Sequence, residues 1–325
     1  MEHHKINISP ISESKKPAAP IKDAQGLYRV VDTLLREMAN QAEVKNIDKY
    51  FSVEAKLDLR NKKAKSLEEI FHRLIGSLQN RNMMPSVIQY WNEKRNIIIN
   101  SLLAKHVYPH LDKSLQQCPD SANNLYSLIR KALKEKAGEP ALDEEPSKLW
   151  QIWCKGILSA ARFLGQFKDI EELYDCFARL YNDQRTRSVL PAMLAMEIDG
   201  MQFTLACDFL KECGYDYPKP DVHITDVFEE ICGTRDTYQI YKKVIEYAKA
   251  LGITAFQLDK MIWLICSGSF YQEGQKLDNG SYEGMDVGSY KEELLRRLGM
   301  TPIQERDWYK AAEEKKNKVI KAKAK

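Results

Sequence analysis

The chain has 325 residues, of which 44% are hydrophobic, and its formal net charge at pH 7 is +3. This length allows a large buried core in one or two domains. The near-neutral charge excludes a basic field over the whole surface, so any site for a polyanion has to be local. The chain begins without a basic-then-apolar leader, and no apolar run reaches the roughly 18 residues that a membrane span requires. We therefore expect a soluble cytoplasmic protein that does not enter a membrane.

The seven cysteines are scattered along the chain, with no CxxC pair and no zinc-like spacing of cysteine and histidine. They are Cys118, Cys154, Cys176, Cys207, Cys213, Cys232 and Cys266. This pattern predicts reduced, mostly buried thiols and no metal site.

The first half of the chain predicts helices after a polar lead-in. Residues 1–20 contain prolines and lack periodicity, so we expect them to be disordered. Ser66 opens a capping box ahead of an apolar stripe of helical period. The segment "QNRNMMP", near residues 79–85, breaks that helix before a second apolar stripe. We assign residues 21–185 to an N-terminal helical lobe, with the Pro- and acid-rich residues 138–148 as its best internal boundary.

The second half also predicts helices, with recognisable start and stop signals. Thr254 and Ser289 are each followed three residues later by the Gln or Glu of a capping box, and Gly252 ends a helix. No segment alternates like a strand for more than a few residues, so the class is all-α. We assign residues 186–275 to a second region and residues 276–325 to C-terminal helices with a basic tail.

Two short segments resemble a known family. "IDGMQFTLA" spans Ile198 to Ala206, and "KPDVHI" places Asp221 seventeen residues past Thr204. The first resembles the hairpin, and the second the catalytic-aspartate segment, of the helix-hairpin-helix superfamily of base-excision DNA glycosylases. The resemblance covers residues 66 to 275. It implies a two-lobed helical glycosylase fold with a helix-hairpin-helix element and with DNA in the cleft between the lobes.

The sequence departs from the family pattern in and beyond the hairpin. Asp199 and Gln202 stand where the pattern has proline and the second glycine, which leaves Gly200 as the residue that adopts a positive φ without cost. Thr204 stands where bifunctional members carry a Schiff-base lysine, so the resemblance implies a monofunctional enzyme. No cysteine follows Cys266, so the four-cysteine iron–sulfur loop of some members is missing. We expect no cofactor, although the hairpin leaves room for a monovalent cation.

Asp221 is the candidate catalytic residue. It precedes "VHITDVFEEI", whose apolar residues share one helical face, so it lies at or beside a helix N-cap. Cleavage of an N-glycosidic bond builds positive charge on the deoxyribose, and a nearby carboxylate stabilises that charge and orients or deprotonates the attacking water. The helix dipole at an N-cap favours the ionised acid that this reaction needs. Aspartate is also a common N-cap with no catalytic role, and that alternative stays open.

The resemblance also implies residues that contact the DNA backbone. Gly200, Gln202, Thr204 and the N–H groups at the following helix start would meet a phosphate, and His223 would be a further phosphate contact. The structural alternatives are an ordinary helix N-terminus and a histidine that only packs.

The break near residues 79–85 resembles the loop that fills the gap left by a flipped base. Gln79, Asn80 and Asn82 offer amides to the orphaned partner base, and Met83 offers an apolar plug between stacked bases. The alternative is an ordinary interhelix turn with its methionines buried in the core.

Two aromatic residues and the basic tail complete the candidates. Trp263 and Tyr271 would stack on the extruded base, or would belong to the core. The lysine-rich end from Lys315 onwards would add salt-dependent, nonspecific affinity for DNA, or would be a solvated helix end.

Together these features predict a monomeric DNA glycosylase of base-excision repair, with DNA as its partner. The enzyme would flip a damaged or modified base and hydrolyse its N-glycosidic bond. An oxidised purine, an alkylated base and a hypermodified phage base, as in anti-phage defence, all fit as substrates. One alternative is a non-catalytic helix-hairpin-helix DNA-binding protein, which needs Gly200 but not Asp221. Another is a helical scaffold that binds no nucleic acid.

Overall fold

A computed structural model describes residues 19–41, 44, 63–79, 121–137, 144–268, 271–272, 275–276 and 287–323. Several predictions lie outside the described residues, namely the lead-in before residue 19, the break and second stripe that follow Gln79, and the first part of the boundary near 138–148.

The regular secondary structure of the described residues is almost entirely helical, which confirms the all-α class. The helices are α1 Ala24–Gln41, α2 Leu67–Gln79, α3 Ser121–Ala137, α4 Lys148–Leu164, α5 Ile170–Asn182, α6 Val189–Glu197, α7 Phe203–Glu212, α8 Val222–Cys232, α9 Thr237–Leu251, α10 Ala255–Ser267, α11 Val287–Arg297 and α12 Asp307–Lys323, with a 3-10 turn at Ile303–Glu305. Two short strands, β1 Tyr271–Gln272 and β2 Gln275–Lys276, pair antiparallel. Their two-residue length leaves the fold class unchanged.

Several predicted helix starts are confirmed by their side-chain caps. Ser66 Oγ accepts the N–H of the residue three positions later at 3.2 Å, and Thr254 Oγ1 does the same at 3.0 Å. The predicted start at Ser289 is wrong, because α11 begins at Val287. The basic C-terminal segment remains helical to Lys323.

The chain divides into two compact units. The first unit holds the described residues up to 44 and those from Pro218 onwards, and the second holds the described residues from 63 to Tyr217. This division differs from the predicted boundaries after residues 185 and 275. The reason is that α1 packs against α9, α10 and α11. Periodicity identifies the buried face of a helix but does not identify the distant element that covers it.

In the first unit, polar contacts tie α1 to the C-terminal helices. The N–H of Ile21 donates to the carbonyl of Leu298 at 2.8 Å, and Arg297 pairs with both carboxylate oxygens of Glu37 at 2.6 and 3.0 Å. The apolar faces of α1, α8, α9, α10 and α11 form one core. Among the described residues, no single helix is both long and apolar enough to cross a membrane, and only the pair α9 and α10, bent by 108°, meets that test when taken together.

In the second unit, α4 is the central helix. It packs against α2, α3 and α6, and α6 packs against α7. The indole N–H of Trp153 on α4 donates to the carbonyl of Ile75 at 3.4 Å. These contacts place α4 behind the turn that joins α6 to α7.

Candidate active site

Asp221 is the N-cap of α8, as the sequence predicts. Its Oδ1 accepts the backbone N–H groups of His223 at 2.9 Å and Ile224 at 3.3 Å. Among the described residues, no protein group pairs with the other carboxylate oxygen, Oδ2, and the residue is half-buried. One oxygen is therefore fixed by the helix while the second remains available to a ligand.

The segment that leads into Asp221 is held by α10. The N–H of Asp221 donates to the carbonyl of Lys219 at 2.7 Å, which makes a tight turn over Pro220. The N–H of Lys219 donates in turn to Oδ2 of Asp259 on α10 at 2.9 Å. Asp259 is only 3% exposed. This buried carboxylate positions the Asp221 backbone, and no motif in the sequence pointed to it.

His223 and Trp263 lie together beside Asp221. Their ring centroids are 6.5 Å apart, with the rings nearly perpendicular at 89°. The Nζ atom of Lys260 lies 4.6 Å from the Trp263 ring centroid. Both His223 and Trp263 are half-buried. The structure thus brings one predicted base-pocket residue next to a predicted phosphate contact, which lies two residues beyond the candidate catalytic acid.

Burial of the His223 side chain favours the neutral imidazole, and this effect is larger than the opposing effect of the nearby carboxylates. It lowers the pKa of the imidazole below the ordinary value, and the Asp221 carboxylate opposes that effect. Nδ1 is buried and has no hydrogen-bond partner among the described residues. A neutral imidazole with a free nitrogen can accept or donate one hydrogen bond beside the carboxylate.

A buried ionic network lies one turn further along α8. Asp226 is 2% exposed, and its two carboxylate oxygens pair with Lys291 at 2.8 Å and with Arg235 at 3.1 Å. Arg235 also pairs with Glu229 at 2.7 Å. These contacts fix α8 against α11 and against the chain that follows α8, so the helix that carries Asp221 has little freedom to shift.

The predicted hairpin forms a turn between α6 and α7 in the second unit, whereas Asp221 belongs to the first unit. Gly200 has φ +77°, as the sequence predicts for the residue of the turn without a Cβ. Gln202 is the exposed N-cap of α7 and makes no side-chain cap bond, and Thr204 is half-buried in the first turn of α7. The turn therefore leads directly into a helix N-terminus.

The turn is fixed against α4 by two small residues that sequence reasoning missed. The N–H of Asp199 donates to Ser159 Oγ at 2.8 Å. A Cβ on Gly156 would lie 2.7 Å from the carbonyl oxygen of Asp199, so only glycine permits this approach. The carbonyls of Ile198 and Gln202 accept the N–H groups of Met201 and Ala206. A monovalent cation at this turn stays a prediction.

Of the remaining predicted site residues, one is buried away from any ligand, and the side chains of the others are not described. Gln79 ends α2 and is 3% exposed, so its amide is not presented to a ligand in this conformation. Asn80, Asn82 and Met83 lie outside the described residues. Tyr271 lies in β1, and its side chain is outside the described part of the structure.

The described cysteines have the character that the sequence predicts. Cys154, Cys207, Cys213 and Cys266 are buried and form no disulfide. Burial raises the pKa of Cys154 and of Cys213 to about 12, so neither is a reactive thiolate at neutral pH. Among the described residues, no cluster of three or more His, Cys, Asp or Glu is arranged to hold a metal ion.

No protein-family model matches this chain, and no curated protein matches it. Two solved structures resemble it, and both are of the 8-oxoguanine DNA glycosylase of Methanocaldococcus jannaschii. One, a glycosylase/lyase in complex with a 15mer DNA containing 8-oxoguanine, is 15% identical, with a TM-score of 0.45 over 75% of this chain and 100% of that chain. The other is 16% identical, with a TM-score of 0.45 over 75% of this chain and 97% of that chain. The residues around Asp221 therefore carry the functional proposal.

Proposed function

We propose that this chain is a DNA glycosylase in which Asp221 is the catalytic carboxylate. The proposal rests above all on the setting of Asp221, whose Oδ1 is fixed by two N–H groups of α8 while Oδ2 has no partner among the described residues. An exposed N-cap also leaves one carboxylate oxygen unpaired, so it is the half-buried position that distinguishes Asp221 from such a cap. The half-buried position and the adjacent aromatic ring of Trp263 suit a site that receives part of a nucleotide.

The reaction is hydrolysis of the bond between C1′ of the deoxyribose and the base nitrogen. As this bond breaks, its electron pair leaves with the base and positive charge develops on the sugar, where the Asp221 carboxylate stabilises it. Water then adds through its oxygen to C1′, and its proton passes to Asp221 or to the departing base. The products are the free base and an abasic site.

Two further parts of the proposal come from the turn between α6 and α7 and from the surroundings of Trp263. Gly200, Gln202, Thr204 and the first N–H groups of α7 would hold a phosphate without reading sequence. Thr204 has no amine, so we infer a monofunctional enzyme that does not cleave the strand by a Schiff base. We infer that Trp263 stacks on an extruded base through the ring face opposite Lys260, close to the ring of His223.

Base release from a panel of DNAs tests the proposal. The panel contains an oxidised purine, an alkylated base and hypermodified phage cytosine, because the same mechanism serves each of them. Asp221→Asn keeps an N-capping side chain but loses the carboxylate, so we expect release to fall by about 100-fold or more with little change in folding. Alkali reveals the abasic product, and strand cleavage before alkali would contradict the monofunctional mechanism.

Asp236→Asn is the matched control. Asp236 is also an N-cap, on α9, and its side chain accepts the N–H of Gln239 at 2.8 Å. We expect this variant to retain wild-type release, because the residue is exposed and only caps its helix. DNA binding by the wild-type protein with no release from any substrate would instead favour a non-catalytic DNA-binding protein. No DNA binding at all would favour a scaffold.

A further inference from the structure

The C-terminal helix α12 exposes most of its length. Among the residues from 310 to 318, every side chain except Glu313 is exposed, including Lys310, Lys315, Lys316 and Lys318. From residue 315 to residue 325 the sequence contains six lysines and no acidic residue. This segment is far more basic than the chain as a whole, whose net charge is only +3.

The start of α12 is firmly attached to α8. Arg306 is 6% exposed and donates to the carbonyl of Asp226 at 2.8 Å and to Glu229 Oε2 at 2.5 Å. The indole N–H of Trp308 donates to the same oxygen of Glu229 at 3.0 Å, and the guanidinium of Arg235 lies 3.9 Å from the Trp308 ring centroid. α12 therefore has a fixed origin on the helix that carries Asp221 at its N-cap.

The lysines of α12 outnumber its acidic residues, which are Asp307, Glu313 and Glu314. Lys316 has one exposed pair, with Glu313 at 3.4 Å, which contributes little to stability. Lys315 and Lys318 are three residues apart, a spacing at which like charges on a helix repel each other. A ligand with a row of negative charges would remove this repulsion, and the phosphates of DNA are such a row.

We propose that α12 is a DNA-binding arm that contacts phosphates through Lys315, Lys316 and Lys318. The proposal rests on the proposed function, since that function makes DNA the polyanion. The arm contributes affinity that depends on salt and not on base sequence. It does not take part in the chemical step.

The test compares two triple variants that each remove three positive charges from the first unit. The arm variant is Lys315→Gln, Lys316→Gln and Lys318→Gln. The control variant is Lys22→Gln, Lys242→Gln and Lys249→Gln, at exposed positions before α1 and on α9. Glutamine has nearly the same helix propensity as lysine, so both variants should fold.

The measurement is the dissociation constant for an undamaged, fluorescently labelled DNA duplex between 50 and 300 mM KCl. The logarithm of the dissociation constant rises with the logarithm of the salt concentration, and each lost phosphate contact lowers that slope by about 0.9. We expect the slope for the arm variant to be lower than the wild-type slope by about 2–3, and the slope for the control variant to equal the wild-type slope. Equal changes in the two variants would overturn the proposal, and so would an arm variant that binds like the wild type.

The outcomes separate the arm from the glycosylase. Asp221→Asn should bind undamaged DNA with the wild-type slope. If no base is released from any substrate but the salt dependence of DNA binding decreases in the arm variant alone, the arm proposal is supported and the glycosylase proposal is contradicted. If bases are released and the arm variant binds DNA with an unchanged slope, the arm proposal falls alone. A slope that changes for an RNA duplex but not for DNA would also overturn it, and would assign the lysines to a different partner.

Discussion

At the scale of single residues, the protonation of His223 makes the stability of the protein depend on pH. Burial lowers its pKa below the ordinary 6.5, against the opposing effect of the Asp221 carboxylate. The folded protein therefore binds this proton less readily than the unfolded chain does. The resulting contribution to stability is fully present above about pH 6.5, and it is lost as the pH falls through the lower pKa of the folded state.

His223→Asn should remove this dependence on pH. We expect the free energy of unfolding of the wild type to fall more steeply than that of the variant between pH 6.5 and pH 5. One proton can contribute at most about 1.4 kcal/mol per pH unit to the difference. Urea unfolding at a series of pH values measures it. Parallel curves for the two proteins over the whole range would contradict the burial of a neutral imidazole.

At the scale of elements, the turn between α6 and α7 depends on a glycine in another helix. Gly156→Ala places a methyl group 2.7 Å from the Asp199 carbonyl oxygen, so either the turn or α4 has to move. We expect a loss of about 1–3 kcal/mol in the free energy of unfolding. Lys155→Ala, at the exposed neighbouring position of α4, should change it by less than about 0.5 kcal/mol. Urea unfolding compares the two, and equal stabilities would show that the close approach is not maintained.

The elements also show which features depend only on neighbouring residues in the sequence and which depend on distant ones. The caps at Ser66, Thr254 and Asp221 were predictable, because each needs only a polar side chain and an N–H two or three residues away. Gly200 was predictable for the same reason, since a turn with positive φ is a property of one residue. Gly156 was not, because a glycine inside a helix is informative only when the chain that approaches it is known.

At the scale of the whole molecule, the two units should unfold with separate stabilities. Leu34 on α1 is fully buried in the core of the first unit. Leu34→Ala should cost about 2–5 kcal/mol, and hydrogen exchange should lose protection in α8 to α11 while α4 to α7 keep theirs. Arg36→Ala, at a side chain that is 46% exposed, is the control and should leave exchange unchanged. An equal loss of protection in both units would mean that they unfold as one.

The sequence by itself determined the helical class, the helix starts at Ser66 and Thr254 and Asp221 as an N-cap, because these follow from signals within three or four residues along the chain. Tertiary structure decided which residues that are distant in sequence contact each other. The bond from Lys219 to Asp259 spans 40 residues, the pair of Lys291 with Asp226 spans 65, and the pair of Arg297 with Glu37 spans 260. Such contacts arise when apolar faces pack, and an apolar stripe does not specify which distant stripe will cover it. The same packing set Trp263 against His223, two residues beyond Asp221, and it joined α1 to the C-terminal helices.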